Sequence, residues 1–213
     1  TTGDPAFVDT TNGDYHLSAQ SAAISAGADQ LSINSVTYTA PATDMDGVAR
    51  PNPEGTTLDL GAYEHENGVG PYDGPIWYVN GAEALPYGNG SISAPYSMIG
   101  SAIGAAADGD SITVAAGTYF ENINFNGKNI KVVGEDSSNT ILDGGLAGSV
   151  VTFEIGNGAE STTPVLKGFT LQNGRAQNGG GINIEYTHPE ISFVTIKACS
   201  SGWGGGIHFG PGT

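Results

Sequence analysis

The sequence predicts an all-β fold, a parallel β-helix or β-solenoid with a short N-terminal capping α-helix. Three observations lead there: abundant glycine, short segments alternating apolar and polar residues, and a repeat near the C-terminus. The 213 residues include 34 glycines, and only 13% are charged. Glycine punctuates short strands and is poorly tolerated in helices, so a helical bundle is excluded. The repeat is Gly179-Gly180-Gly181-Ile182, which returns as Gly204-Gly205-Gly206-Ile207, a shift of 25 residues from 182 to 207. At the same shift Phe169-Thr170-Leu171 aligns with Val194-Thr195-Ile196, and Ile184 with Phe209. A fixed period between about 20 and 50 residues marks a solenoid whose repeats stack apolar faces.

Along the chain, residues 1–66 contain Pro5, Pro41, Pro51 and Pro53, sparse strand-like pieces such as Asp14-Tyr15-His16-Leu17, and no 25-residue period. They are read as irregular terminal structure. Residues 67–75, Asn-Gly-Val-Gly-Pro-Tyr-Asp-Gly-Pro, are rich in turn formers and form the expected linker. Residues 76–213 open with one helix, from about Pro95 to Ala107, where Met98, Ile99, Ala102, Ile103 and Ala106 fall at helical spacing and Asp108-Gly109-Asp110 ends it. That helix is expected to cover the first coil, whose unpaired strand edge would otherwise invite aggregation. Inward-facing strands follow at Ile112-Thr113-Val114, Ile123-Asn124-Phe125, Ile130–Val133, Thr140-Ile141-Leu142 and Val150–Phe153. Gly181-Ile182-Asn183-Ile184-Glu185-Tyr186 sends Ile182 and Ile184 to one face at period two. A leucine-rich horseshoe would need a regular leucine pattern, which is missing.

Six basic residues stand against 22 acidic ones, for a formal charge of −16. Such a surface repels phosphates, so nucleic acid is not an expected partner. Cys199 is the single cysteine, so burial and backbone pairing, not disulfides, must hold the fold. No apolar run approaches the roughly 20 residues of a membrane-spanning helix. The first residues lack the charged and apolar regions of a secretion signal, which is therefore expected outside this segment.

Trp77-Tyr78-Val79-Asn80, Ala94-Pro95-Tyr96-Ser97-Met98-Ile99, residues 108–119 and Glu121-Asn122-Ile123 resemble the opening coils of secreted right-handed parallel β-helix proteins of the pectate-lyase-like superfamily. Gly168-Phe169-Thr170-Leu171-Gln172-Asn173-Gly174 resembles their middle coils. Asp4–Asp9, Gly13–Leu17, Ser25–Ala28, Asp44–Gly47, Arg50-Pro51 and Asp59–Glu64 resemble the closing segment of such proteins, as found in choice-of-anchor bacterial surface proteins. The resemblance implies a right-handed fold and a secreted or extracellular-surface setting. It also implies an unusual order, because a closing segment (1–66) precedes opening coils (76–213). Two arrangements stay open: a window across two tandem β-helix domains, or a permuted chain whose open end is completed by itself or by the next subunit, giving a head-to-tail filament.

A lyase mechanism on acidic polysaccharide needs a cation held by carboxylates and an Arg or Lys base on the same face. The six basic residues form no stacked row: Arg175 aligns with Ser200 and Lys197 with Gln172. Hydrolase chemistry needs two carboxylates facing one cleft. The 25-residue register stacks none, leaving Asp143 and Glu154 as isolated possibilities. Asp44-Met45-Asp46-Gly47 begins like a calcium loop but lacks the distal glutamate, so Asp44 and Asp46 are either calcium ligands or turn formers. The scattered histidines His16, His65, His188 and His208 do not suggest zinc. Trp203 and Tyr186 are candidate carbohydrate-stacking rings, or simply loop packing. The expected function is a structural or adhesive module of a secreted bacterial surface protein, leaning away from an enzyme. Its expected partners are copies of itself or neighbouring β-helix domains end to end. A polysaccharide lyase, a glycoside hydrolase and a carbohydrate-binding domain are the alternatives.

Overall fold

A computed structural model describes residues 5–154 and 163–210, so Asp4 of the closing pattern and the chain beyond Gly210 lie outside the described residues. The chain divides into two compact units, one of Thr1–Tyr72 with Leu85–Asn89 and the other of Asp73–Ala84 with Gly90–Thr213.

The first unit holds two antiparallel hairpins. Strand β1 (Phe7–Asp9) pairs with β2 (Asp14–Leu17) across a 3-10 turn, where Asp9 Oδ1 accepts the N–H groups of Thr11 and Asn12 at 3.0 and 3.2 Å. Strand β3 (Gln30–Ile33) pairs with β4 (Val36–Thr39), and the two turn residues Asn34 and Ser35 have φ of 50° and 64°. Two successive positive φ values give the turn whose twist matches the strands it joins. Leu17, Ala23, Ile24 and Tyr87 form a small core, flanked by Val69 and Leu85. Beside it, Arg50 donates from Nε to Glu64 Oε1 at 2.7 Å, with the Glu64 side chain wholly buried.

The second unit is built from parallel strands and one helix: β5 (Ile76–Val79), α1 (Ile99–Ala105), β6 (Ser111–Val114), β7 (Gly117–Tyr119), β8 (Ile123–Asn124), β9 (Lys131–Gly134), β10 (Thr140–Asp143), β11 (Val151–Glu154), β12 (Val165–Gln172), β13 (Arg175–Asn178), β14 (Ile182–Glu185), β15 (Glu190–Lys197), β16 (Ser200–Trp203) and β17 (Ile207–Phe209). A seven-stranded sheet runs β5-β6-β9-β12-β10-β7, with β15 also on β12. A four-stranded sheet runs β8-β11-β14-β17, and β13 pairs with β16. Strand β12 bends at Gly168 (φ +79°): its first half pairs with β9 and its second half with β10.

Alternation explains the core. In register, Trp77, Ile112, Val132 and Leu166 stack inward from four successive strands, and all four are buried. Tyr119, Leu142 and Leu171 form a second buried row, and Ile123, Val151 and Ile182 a third. The Phe125 and Phe153 rings meet with centroids 4.3 Å apart. Each row removes apolar area from water at about 25 cal/mol per Å², the main stabilising term in the absence of disulfides.

The expected right-handed β-solenoid with an N-terminal capping helix is corrected by these observations. The described residues form a mostly β molecule of several sheets, five strand-paired groups in all, two of them antiparallel. The 25-residue register holds where β15, β16 and β17 pair with β12, β13 and β14. Upstream it does not, because Trp77 pairs with Ile112, Ile112 with Val132 and Val151 with Ile182, at unequal separations. The helix is mid-chain, between β5 and β6, and spans seven residues, fewer than the spacing predicts. Pro95 does not start it. The preceding chain stays extended along β5, with Asn80 N–H donating to Tyr96 O and Tyr96 N–H to Tyr78 O, both at 2.9 Å. Instead of a terminal cap, α1 is an internal element whose Ile99, Ala102 and Ile103 are buried and which touches β5, β6 and β8.

Both ends of α1 are closed by distant side chains. Glu121 accepts the N–H groups of Ile99 and Gly100, each at 2.8 Å. Lys128 Nζ donates to the carbonyls of Ile103, Gly104 and Ala106 at 2.6, 2.9 and 2.7 Å. A carboxylate at the N-terminus and an ammonium at the C-terminus satisfy the orphan groups of the helix and oppose its dipole.

Candidate functional site

The last strands of the three parallel sheets form the first candidate. Among the described residues β15, β16 and β17 each pair on one side only, with β12, β13 and β14. The side chains that continue the buried rows are half-exposed here: Ile191 follows Leu166, Ile196 follows Leu171, and Ile207 follows Ile182. Trp203 is 69% exposed and Phe209 66%. The result is an edge with open backbone groups and an apolar lining.

Phe193 lies at the bend of β15, at the place Gly168 occupies in β12, and has φ 52°. A bulky side chain is strained in that region. It is exposed, with Lys167 Nζ 5.5 Å from its ring centroid.

A second candidate lies on the outer face of the four-stranded sheet. Glu154 of β11 and Glu185 of β14 are direct partners in the parallel ladder, one strand spacing of about 4.8 Å apart along the backbone. Asn124 Nδ2 donates to Glu154 Oε1 at 2.6 Å, and Asn183 Nδ2 donates to Glu185 Oε1 at 3.1 Å. His208 Nδ1 lies 3.0 Å from Asn183 Oδ1. The expectation that no acidic pair is stacked is thus corrected. The 25-residue register sets Glu185 beside Gly210 and so hides the partner on its other side, which is separated from it by a longer stretch of chain.

The predicted site residues are placed as follows. Trp203 pairs with Asn178 at the end of β16, whereas Tyr186 follows the far end of β14, so the length of that strand separates the two rings. Asp44 is occupied by backbone: Oδ1 accepts from Asp46 and Val48 at 2.9 and 2.8 Å, and Oδ2 accepts from Glu64 at 3.0 Å. Burial pushes its carboxyl upward, but these N–H donors outweigh that and hold it below its ordinary value. Asp46 Oδ2 faces His16 Nε2 at 2.6 Å, and Asp14 Oδ1 faces His16 Nδ1 at 2.5 Å. Hydrogen bonds to Asp46 and then Asp14 raise the histidine above its ordinary value. No cluster of three or more His, Cys, Asp or Glu side chains able to hold a metal occurs among the described residues. Asp143 is set in a polar knot, accepting from Gly145 N–H, Gln172 and Asn173, which lowers its carboxyl.

Two hollows of about 520 and 320 Å³ lie beside α1 and over β5 and β6, and neither is lined by Trp203, Tyr186, Asp44 or Asp46. No described helix is long and apolar enough to cross a membrane. No protein-family model, curated protein or solved structure matches the chain.

Proposed function

We propose that the chain is a structural module of a secreted or surface-exposed protein, and that copies join end to end through the edge of β15, β16 and β17. One observation carries this reading: among the described residues, β15, β16 and β17 are each paired on one side alone, and their edge is lined by exposed Trp203, Phe209 and Ile207. Such an edge is a template for further strands, whose backbone groups satisfy its open N–H and C=O and whose side chains cover its apolar lining. The resemblance of residues 4–64 to the closing segment of choice-of-anchor surface proteins supports the extracellular setting. Sedimentation of the chain in moderate salt tests the reading. The wild type is expected as multiples of 21.6 kDa that grow with concentration, and Phe209→Asp as the 21.6 kDa species. A wild type that stays at 21.6 kDa throughout overturns it.

The stacked pair Glu154 and Glu185 favours a second reading, a glycoside hydrolase, because two carboxylates on one face are the minimum machinery for acid–base cleavage of a sugar bond. Product release from neutral and acidic glycans, with and without calcium, tests it. Activity lost in both Glu154→Gln and Glu185→Gln would establish it.

A further inference from the structure

The hollow of about 320 Å³ over β5 and β6 is lined by the second unit alone. Alternation along β5 buries Trp77 and Val79, so Tyr78 faces outward beside Thr113 of β6, and Ile92 and Pro95 add further apolar wall. Two carboxylates line the same space. Glu83 comes from the turn after β5, where Asn80 O accepts the N–H groups of Glu83 and Ala84 at 3.3 and 2.9 Å. Glu135 follows β9, its N–H donating to Val114 O at 3.0 Å. Each carboxylate commits one oxygen: Glu83 Oε2 accepts from Asn80 Nδ2 at 2.9 Å, and Glu135 Oε2 accepts from Ala116 N–H at 3.1 Å. Among the described residues neither Oε1 accepts a hydrogen bond, and no Lys, Arg or His lines the hollow. Glu135 also lines a neighbouring hollow of about 270 Å³, together with Asp136, Lys167 and Phe193. There the chain supplies its own cation, with Lys167 Nζ 5.5 Å from the Phe193 ring centroid. The hollow over β5 and β6 has the same ingredients, an aromatic ring and carboxylates, without the cation.

We propose that the hollow over β5 and β6 binds an organic cation, an ammonium group on an apolar stem. The ammonium takes the open oxygens of Glu83 and Glu135, and the stem lies against Tyr78, Ile92 and Pro95. Charge selects this class: two carboxylates without a neighbouring cation, in a chain of charge −16, repel anions and draw cations. An ammonium has three N–H donors and no acceptor, so every hydrogen bond it offers suits a carboxylate, and an aromatic ring face attracts it as well. A calcium or magnesium ion would need about six or more oxygen ligands, which two carboxylates and an apolar wall do not supply. A volume of about 320 Å³ is at the small end of ligand sites, so the occupant is a small free amine or a single lysine side chain of a peptide. The site is independent of end-to-end joining.

Titration followed by amide NMR shifts in low salt tests the site. n-Butylammonium chloride is the probe for a free amine, and the blocked tripeptide acetyl-Gly-Lys-Gly-amide is the probe for a lysine side chain. Saturable shifts at Tyr78, Asn80, Thr113 and Glu135 are expected with at least one probe and not with n-butanol at the same concentration; the tighter probe identifies the source. Glu83→Gln/Glu135→Gln keeps the shape and the bonds to Asn80 and Ala116 but removes both charges, and should bind at least about tenfold more weakly. Glu54→Gln/Glu190→Gln lowers the net charge equally at exposed positions outside the hollow, and should bind within about twofold of the wild type. Tyr78→Leu keeps an apolar side chain and should weaken binding about threefold, an independent reading if the first double variant melts below the wild type. Absence of saturable shifts with both probes, or an equal response to n-butanol, overturns the site. The same loss in both double variants also overturns it, since it marks diffuse attraction to an acidic surface. Calcium chloride that displaces the probe at equal or lower concentration overturns it in favour of a metal.

Discussion

Arg50 and Glu64 are both enclosed, and the pair is tolerable only because each charge is fully employed. Arg50 Nη2 also donates to the carbonyls of Asp59 and Gly61, while Glu64 accepts from the N–H groups of Asn52 and Asp59. Replacing Arg50 by Met leaves a buried carboxylate without its cation, which costs about 3–5 kcal/mol. Faster hydrogen exchange across residues 50–65 is the expected signature. His16 gives a pH-dependent counterpart. Both ring nitrogens face carboxylates, an arrangement only the imidazolium satisfies, and the Tyr63 ring lies over it at 4.1 Å. Because its folded value is raised above 6.5, its contribution is complete below that value and is lost as pH rises through the raised one. Exchange protection at Asp44–Val48 should therefore be greatest below pH 6.5 in the wild type and fall as pH rises above it. In His16→Gln it should be low throughout.

Strand β12 owes its bend to one residue. A Cβ on Gly168 would lie 2.6 Å from the Gly134 carbonyl oxygen, and its φ of +79° disfavours any side chain. Gly168→Ala should cost more than about 2 kcal/mol, since strain and collision add. In β15 the corresponding Phe193 already bears that strain without the collision, so Phe193→Asn should be neutral or stabilise by up to about 1 kcal/mol despite the lost Lys167 contact. Urea midpoints of the two variants should thus move in opposite senses or differ plainly in size. For α1, Lys128→Met removes three charge-assisted bonds to its last carbonyls and should cost about 1.5–3 kcal/mol by the same measurement.

At the scale of the molecule, the charge of −16 makes association salt-dependent: raising sodium chloride from about 0.02 to 0.5 M should strengthen it, as screening relieves repulsion between copies. Sedimentation across that range checks the sign. Alternation in the sequence located most parallel strands, among them Ile112-Thr113-Val114 and Ile182–Glu185, and the triple glycines set the register of β12–β14 on β15–β17. The rest was hidden for physical reasons. Segments of unequal length join the earlier strands, so one period could not align Glu154 with Glu185. The hairpin did leave a signal, since Leu31 and Ile33, then Val36 and Tyr38, alternate around Asn34-Ser35, but four prolines nearby made the region read as irregular. The helix ends were beyond local inference, because their closing groups lie 22 and 25 residues downstream. That separation also orders events in time. A seven-residue helix cannot persist alone. The last turn and the first are therefore expected to firm up only once the connections that carry Glu121 and Lys128 are in place, so the chain after α1 completes the helix before it.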